Sequence, residues 1–401
     1  MNAPSDAFLH DKLQSLHAQA DEFIAVRRDI HQHPEMGYKE YRTSDLVAEQ
    51  LQHWGYQVTR GLGGTGLVGQ LTKGTGTRAI GIRADMDALP IDEATGLPYA
   101  SCNVGIMHAC GHDGHTAMLL AAAKHIAQKG VFSGTVNLIF QPAEEGLGGA
   151  KKMMEDGLFQ KFPCHAIFAM HNMPGQPQGH LVLRDGAAMA SSDNVTINLH
   201  GKGGHGAMPH VAIDPVVAGS SIVMALQSIV ARNVDPQQMA IITVGAFNAG
   251  VANNVIPQTA TLRLSVRSLD RDVRVLLEQR ITELVHAQAQ SYGVTAEIDY
   301  QRGYPVLVNH LAETDFARTV AEELVGADKV VRQGRALNGS EDFAFMLEEV
   351  PGSYLLIGNG DGTGDGHGAC MVHNPGYDFN DKNVAIGSAF WSLLVERFLP
   401  A

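Results

Sequence analysis

The first 190 residues alternate short apolar strands with helices, and that alternation constrains the fold more than any other feature of the chain. The stretches "GLVGQL", "TRAIGIRADMD", "GTVNLIFQPAEEG" and "HAIFAMHNMPG" read as strands. Among them, "TAMLLAAAKHIAQ" is apolar along one side of a helix. Helices are also expected over 6–32 and 41–54, the second closing at Gly55. Strands that are short, apolar and weakly alternating are buried on both faces, which calls for helices on both sides of a mostly parallel sheet. The fold class is therefore α/β.

The texture changes near residue 190. "SSDNVTINLHGKGG" alternates like a half-exposed strand, and 213–232 reads as a long helix. "QMAIITVGAFNAG", "QTATLRLSVRS" and "TAEIDYQRG" read as three more strands, with a helix over 271–291 before the last. Together they predict a smaller α+β domain, a four-stranded antiparallel sheet carrying two helices. From about 303 the first texture returns. The expected organisation is 1–189, first part of a catalytic domain; 190–302, an inserted domain; and 303–401, the second part. A chain of 401 residues exceeds what one core usually serves, in keeping with two domains.

A formal charge of −13 and the lack of any basic stripe argue against a nucleic-acid partner. The N-terminus lacks the pattern of a secretory leader, and no run of about 18 apolar residues marks a membrane span. Cys102, Cys110, Cys164 and Cys370 form no CxxC pair, so reduced thiols and a cytoplasmic location are expected.

The densest chemistry is "MHACGHDGHT", residues 107–116, which packs His108, Cys110, His112, Asp113 and His115 into ten positions. Zinc-like ions take sulfur, imidazole and carboxylate ligands. Further donors follow predicted strands: Glu144 and Glu145 in "QPAEEG", His171 in "FAMHNMPG" and His373 in "MVHNPGYDF". Strand ends are where an α/β sheet usually presents a site. Each donor also has an ordinary alternative: adjacent glutamates are commonly solvated, an apolar-strand histidine is commonly a hydrogen-bonded core residue, and His373 can cap a turn.

"RRDIHQHPEMGYKE", "GIRADMDALPI", "MHACGHDGHT", "QPAEEGLGGAKKM", "HGKGGHGAMPH", "NGSEDFAF" and "HNPGYDFND" occur in that order from residue 27 to 381. Together they resemble the hippurate hydrolase-like amidohydrolases of the aminoacylase/carboxypeptidase superfamily of dinuclear metallohydrolases. The resemblance implies a catalytic α/β domain interrupted by a lid or dimerisation domain, and a homodimer formed through that lid. It implies two divalent ions per subunit (Zn, Mn, Co or Ni) held by Cys110, His112, Glu145, His171 and His373, with Cys110 placed to bridge them. Glu144 takes the general-base role and Asp87 orients a ligand histidine, with Asp113 as the competing candidate. His205 would reach across the dimer to stabilise an oxyanion, with His210 as the alternative. Asn254, Arg267 and Ser340 would bind substrate, supported by Glu341 and Asp342. An Arg fork suits a carboxylate.

The implied activity is hydrolysis of N-benzoyl or N-acetyl amino acids to a carboxylic acid and a free amino acid. A dipeptidase or carboxypeptidase would use the same centre. A non-catalytic metal-binding protein is the reading from a different class, and it has no use for Glu144 beside Glu145. Two motifs point elsewhere on paper. "GLGGTG", 61–66, fits GxGxxG, but "LVGQLT" after it reads as a strand, so a glycine-rich hairpin is expected. "GNGDGTGDGHG", 358–368, has calcium-loop flavour but occurs once. There is no GxSxG elbow, Walker A loop or HExxH helix.

Overall fold

The computed structural model describes residues 6–363 and 366–401, with side chains from residue 14 onward. The first five residues of the N-terminal stretch, and 364–365 of the glycine–aspartate loop, lie outside the described residues.

Chain contacts divide into two units. The larger gathers the residues up to Gly186 with Val308–Arg335 and Phe345–Ala401. Its eight-stranded sheet runs in the order Gln57–Leu62, Gly66–Lys73, Gly134–Gln141, Ala79–Asp85, Ala166–Pro174, Gly352–Gly360, Leu181–Val182 and Val330–Val331. The sheet is mixed. Parallel pairs form the centre, from 134–141 through 79–85 and 166–174 to 352–360. Antiparallel pairs join 57–62 to 66–73, 66–73 to 134–141, and 352–360 to 181–182. The first antiparallel pair is the "GLGGTG" hairpin: Leu62 faces Gly66, and Gly63 and Gly64 take positive φ where the chain reverses.

The central strands are long apolar runs because both faces are covered. Every residue of Ala79–Asp85 is buried. Ile80, Ile82, Leu138, Phe140 and Phe168 share one core with Leu119 and Leu120 of helix His112–Gln128 and Leu393 of helix Asn383–Phe398. Phe168 sits 6.2 and 6.4 Å, ring to ring, from Phe316 and Phe398. Trimming such a side chain to Ala typically costs about 3–5 kcal/mol. On the opposite face Ile139 and Ile167 are equally buried. Parallel strands put their carboxyl ends on one edge, and Asp85, Gln141 and Pro174 lie there.

The smaller unit comprises Ala187–Leu307 with Ala336–Ala344. Its antiparallel sheet has the order Ala240–Ala249, Thr259–Ser268, Asp193–His200, Thr295–Arg302. Helices Pro215–Arg232 and Arg271–Ser291 share its core through Ile222, Leu226, Leu277 and Ile281. Each helix starts on an aspartate: Asp214 accepts from the Val216 amide at 2.8 Å, and Asp270 from Asp272 and Val273 at 2.8 and 2.9 Å. Helix Pro215–Arg232 is long and apolar enough, by length and composition, to cross a membrane. Here one stripe of it, Ala218, Ile222, Leu226 and Ile229, is buried against the sheet.

Candidate metal centre

Three adjacent parallel strands deliver the candidate residues from their carboxyl ends. Asp85 and Asp87 follow the first, Glu144 and Glu145 the second, and His171 and Asn172 lie near the end of the third. The "ACGHD" turn joins them through Gly111, whose φ of +91° precedes the helix that opens at His112. A Cβ at Gly111 would come within 2.3 Å of Asn172 Nδ2 and 2.4 Å of the Tyr377 hydroxyl, so only glycine fits. Asn172 Nδ2 in turn donates to the Cys110 carbonyl at 2.7 Å. The last donor, His373, sits in a loop pinned to this turn, its amide donating to the Ala109 carbonyl at 2.7 Å.

The donors converge in two overlapping groups. Cys110, His112 and His171 place one ligand atom each within 4.8 Å of one another, and so do Cys110, Glu145 and His373. Cys110 belongs to both. Its Sγ is 3.3 Å from His171 Nε2, while His373 Nε2 is 3.2 Å from Glu145 Oε1. Glu144 lies with His112 and Glu145 in a third such group.

The imidazoles are already oriented. His171 Nδ1–H donates to the Asn172 carbonyl at 2.7 Å, and His112 Nδ1–H to Asp87 Oδ1 at 3.2 Å, so each turns Nε2 toward the cluster. His112 Nε2 is buried and has no hydrogen-bond partner among the described residues. Buried polar atoms are rarely left so. An orphaned donor beside a thiol fits divalent cations with sulfur, imidazole and carboxylate ligands.

The electrostatics agree. Burial pushes the Cys110 thiol well up, and the Glu145 and Glu144 carboxylates push it further. Burial holds His171 well below the usual imidazole range, with His115 adding to the effect. Burial pulls His112 down too, but Asp85 and then Asp87 outweigh it and raise the ring to about 10. Cys110 and His112 therefore both hold protons that a bound divalent cation would have to displace.

Asp87 touches His112 and also accepts from the Glu145 amide at 2.9 Å, tying two donors together. Asp113, its competitor for orienting a ligand, does neither: it faces Arg27 at 3.1 Å and His31 at 2.9 Å. Sequence reasoning missed the bracing role of His115 and Asn172. His115 Nδ1–H donates to Asp85 at 2.6 Å, and its Nε2 accepts from the Asn172 amide at 3.0 Å. The available signal was spacing, since His112 and His115 are three apart on one helix.

In the smaller unit His205 pairs with Val255, and the Gly206 amide donates to the Asn254 carbonyl at 2.8 Å. Two predicted residues are thus neighbours. His205 Nδ1 accepts from the Ala207 amide at 3.0 Å, which leaves its exposed Nε2 as an N–H donor. His210 lies in the exposed turn Pro209–Val211. Arg267 donates to the Asn338 carbonyl at 3.2 Å, beside the segment carrying Ser340, Glu341 and Asp342.

A model of peptidase family M20/M25/M40 matches residues 81–397. Hippurate hydrolase of Campylobacter jejuni is 46% identical over 94% of this chain and 97% of its own length. N-acetyl-L-cysteine deacetylase of Bacillus subtilis is 38% identical over 94% and 88%. The solved structure of Bacillus subtilis YXEP, described as a dinuclear metal binding peptidase, superposes with a TM-score of 0.83 at 31% identity, covering 96% of this chain and 99% of that one.

Proposed function

The chain belongs to peptidase family M20/M25/M40, and from that premise we propose that it is a metal-dependent amidohydrolase of N-acyl amino acids. Hippurate-like N-benzoyl and N-acetyl substrates come first, by similarity to the hydrolase and deacetylase above. The observation that carries this reading is Cys110 standing in both donor groups with Glu144 next to them. Cys110, His112, Glu145, His171 and His373 would between them hold two divalent ions, of the Zn, Mn, Co or Ni type.

Bound divalent ions supply Lewis-acid polarisation of the amide carbonyl and lower the pKa of water toward 7. The chain's residues do the rest. Glu144, buried beside the ligands, takes the proton of the attacking water and passes it to the leaving amine. Asp87 holds His112 and the Glu145 amide in place. His205 presents Nε2–H to the developing oxyanion, reaching the neighbouring subunit of a homodimer formed by the smaller unit. Arg267 and Asn254 hold the substrate carboxylate, with Ser340 at the pocket edge. In this reading 1–189 and 303–401 form the catalytic domain and 190–302 the lid. All four cysteines are free, which supports a cytoplasmic location.

The test is Glu144→Gln in protein reloaded with each metal, assayed on N-benzoyl, N-acetyl and dipeptide substrates with bound metal counted. Retained metal, about two ions per chain, with turnover of N-acyl amino acids reduced at least about 10²-fold is expected. Unchanged turnover refutes the base assignment. Wild-type turnover of dipeptides alone would favour the peptidase reading.

A further inference from the structure

We propose that Glu40 is a positioning residue for Glu144, acting through the backbone of Ala143. This rests on the reading of Glu144 as the base, but its evidence is separate. Ala143 has φ of +55°, a conformation that only Tyr38, Ala143 and His373 share among the described non-glycine residues. Left-handed backbone is unfavourable for any residue with a Cβ, and it persists only where the surroundings enforce it. At Ala143 both backbone groups are held. Its carbonyl accepts from the Gly149 amide at 3.0 Å. Its amide donates to Glu40 Oε1 at 2.8 Å.

Glu40 is fully buried, and no Lys, Arg or His pairs with it among the described residues. Its other oxygen accepts from the Thr65 hydroxyl at 2.5 Å. Its own backbone carbonyl accepts from the Ser44 amide at 2.9 Å, at the start of helix Tyr41–His53. A buried carboxylate without a cation is unfavourable, and burial raises this one to about 7. What the carboxylate grips is the amide one residue ahead of Glu144.

The consequence follows from chain geometry. The φ and ψ of Ala143 set where Glu144 points, and the next amide, that of Glu145, must still reach Asp87 Oδ2 at 2.9 Å. If Ala143 relaxes to negative φ, Glu144 turns away from the ligands and the Asp87 contact breaks. Gly149 leaves no slack behind the turn, since a Cβ there would lie 1.7 Å from the Pro142 carbonyl oxygen. Glu40 thus does for residue 143 what a glycine would do by itself.

That equivalence supplies the test, a cycle of Glu40→Ala, Ala143→Gly and the double variant, with Glu40→Gln as the isosteric control. Glu40→Ala should lower kcat about 10- to 100-fold, with KM unchanged. Glu40→Gln should keep most of kcat, because its amide oxygen still accepts from Ala143 and its NH₂ can donate to the Thr65 hydroxyl. Adding Ala143→Gly to Glu40→Ala should recover kcat at least about tenfold, since glycine holds positive φ without a brace. In metal-free protein, Ala143→Gly should raise Tm more in the Glu40→Ala background than in wild type. Unchanged kcat in Glu40→Ala, or a loss that Ala143→Gly does not restore, overturns the proposal. If Glu40→Ala does not fold, Glu40→Asp replaces it, one methylene too short to reach the Ala143 amide; full kcat there also overturns the proposal. Glu144→Gln is run alongside. If it keeps full turnover, the base assignment has failed; if it is inactive while Glu40→Ala is fully active, only the role of Glu40 has failed.

Discussion

Raising the pH from 6.5 to 9 should weaken the larger unit through one buried imidazole, His31. This ring is fully buried between two carboxylates, Asp113 at 2.9 Å and Glu93 at 3.2 Å. Burial pulls its pKa down, but the hydrogen bond and charge of Asp113, then Glu93, raise it from 6.5 to about 9. A pKa raised on folding contributes stability that is fully present below the unfolded value and lost as pH climbs through the folded one. Two and a half pKa units, at 1.36 kcal/mol each, amount to about 3 kcal/mol. At the size of the larger unit a kcal/mol moves Tm by about 2 °C, so the window should contribute roughly 6 °C. The assay is thermal unfolding of metal-free protein at half-unit steps from pH 6 to 10, for wild type and His31→Gln. Glutamine does not titrate, so the difference between the two curves should shrink by about that amount across pH 6.5–9. Parallel curves would refute a charged His31 and leave Arg27 as the network's only cation against Asp113.

Two further outcomes follow from the candidate centre. Because Cys110 is pushed up and His112 raised to about 10, both carry protons before metal arrives, so apparent metal affinity should rise with pH. Calorimetry in buffers of different ionisation enthalpy should show proton release on Zn²⁺ binding; none released would mean that these groups are not ligands. Gly111→Ala places a Cβ into the Asn172 amide at a φ of +91°. It should lower stability by about 1–3 kcal/mol and lower bound metal with it; an unperturbed variant would show that the turn can shift without disturbing Cys110.

Much of this was legible before any fold was known. Apolar runs such as "TRAIGIRAD" and "HAIFAMH" announce strands covered on both faces, because an exposed face would alternate. The alternating pattern of 259–268 announces the half-exposed sheet of the smaller unit in the same way. Strand ends then told where donors would gather, since parallel strands deliver their carboxyl ends to one edge.

What the sequence could not rank were partners that share a neighbourhood in the chain. His112 and Asp113 are adjacent, yet about 100° of helical rotation separates their side chains. One joins the candidate donor cluster and the other turns to Arg27 and His31. His115, two residues beyond Asp113, returns to the side of His112. Asp87, 25 residues away, takes the orienting contact that Asp113 was a candidate for. Nothing near Glu40 in the sequence points to the Ala143 amide, 103 residues further on, that it accepts from. By itself the sequence determined periodicity, and with it which faces are apolar and which residue types are available at the strand ends. Tertiary structure alone decided which of those residues touch. A contact between distant residues depends on strand order and helix rotation set by packing the whole core, which no local run of residues encodes.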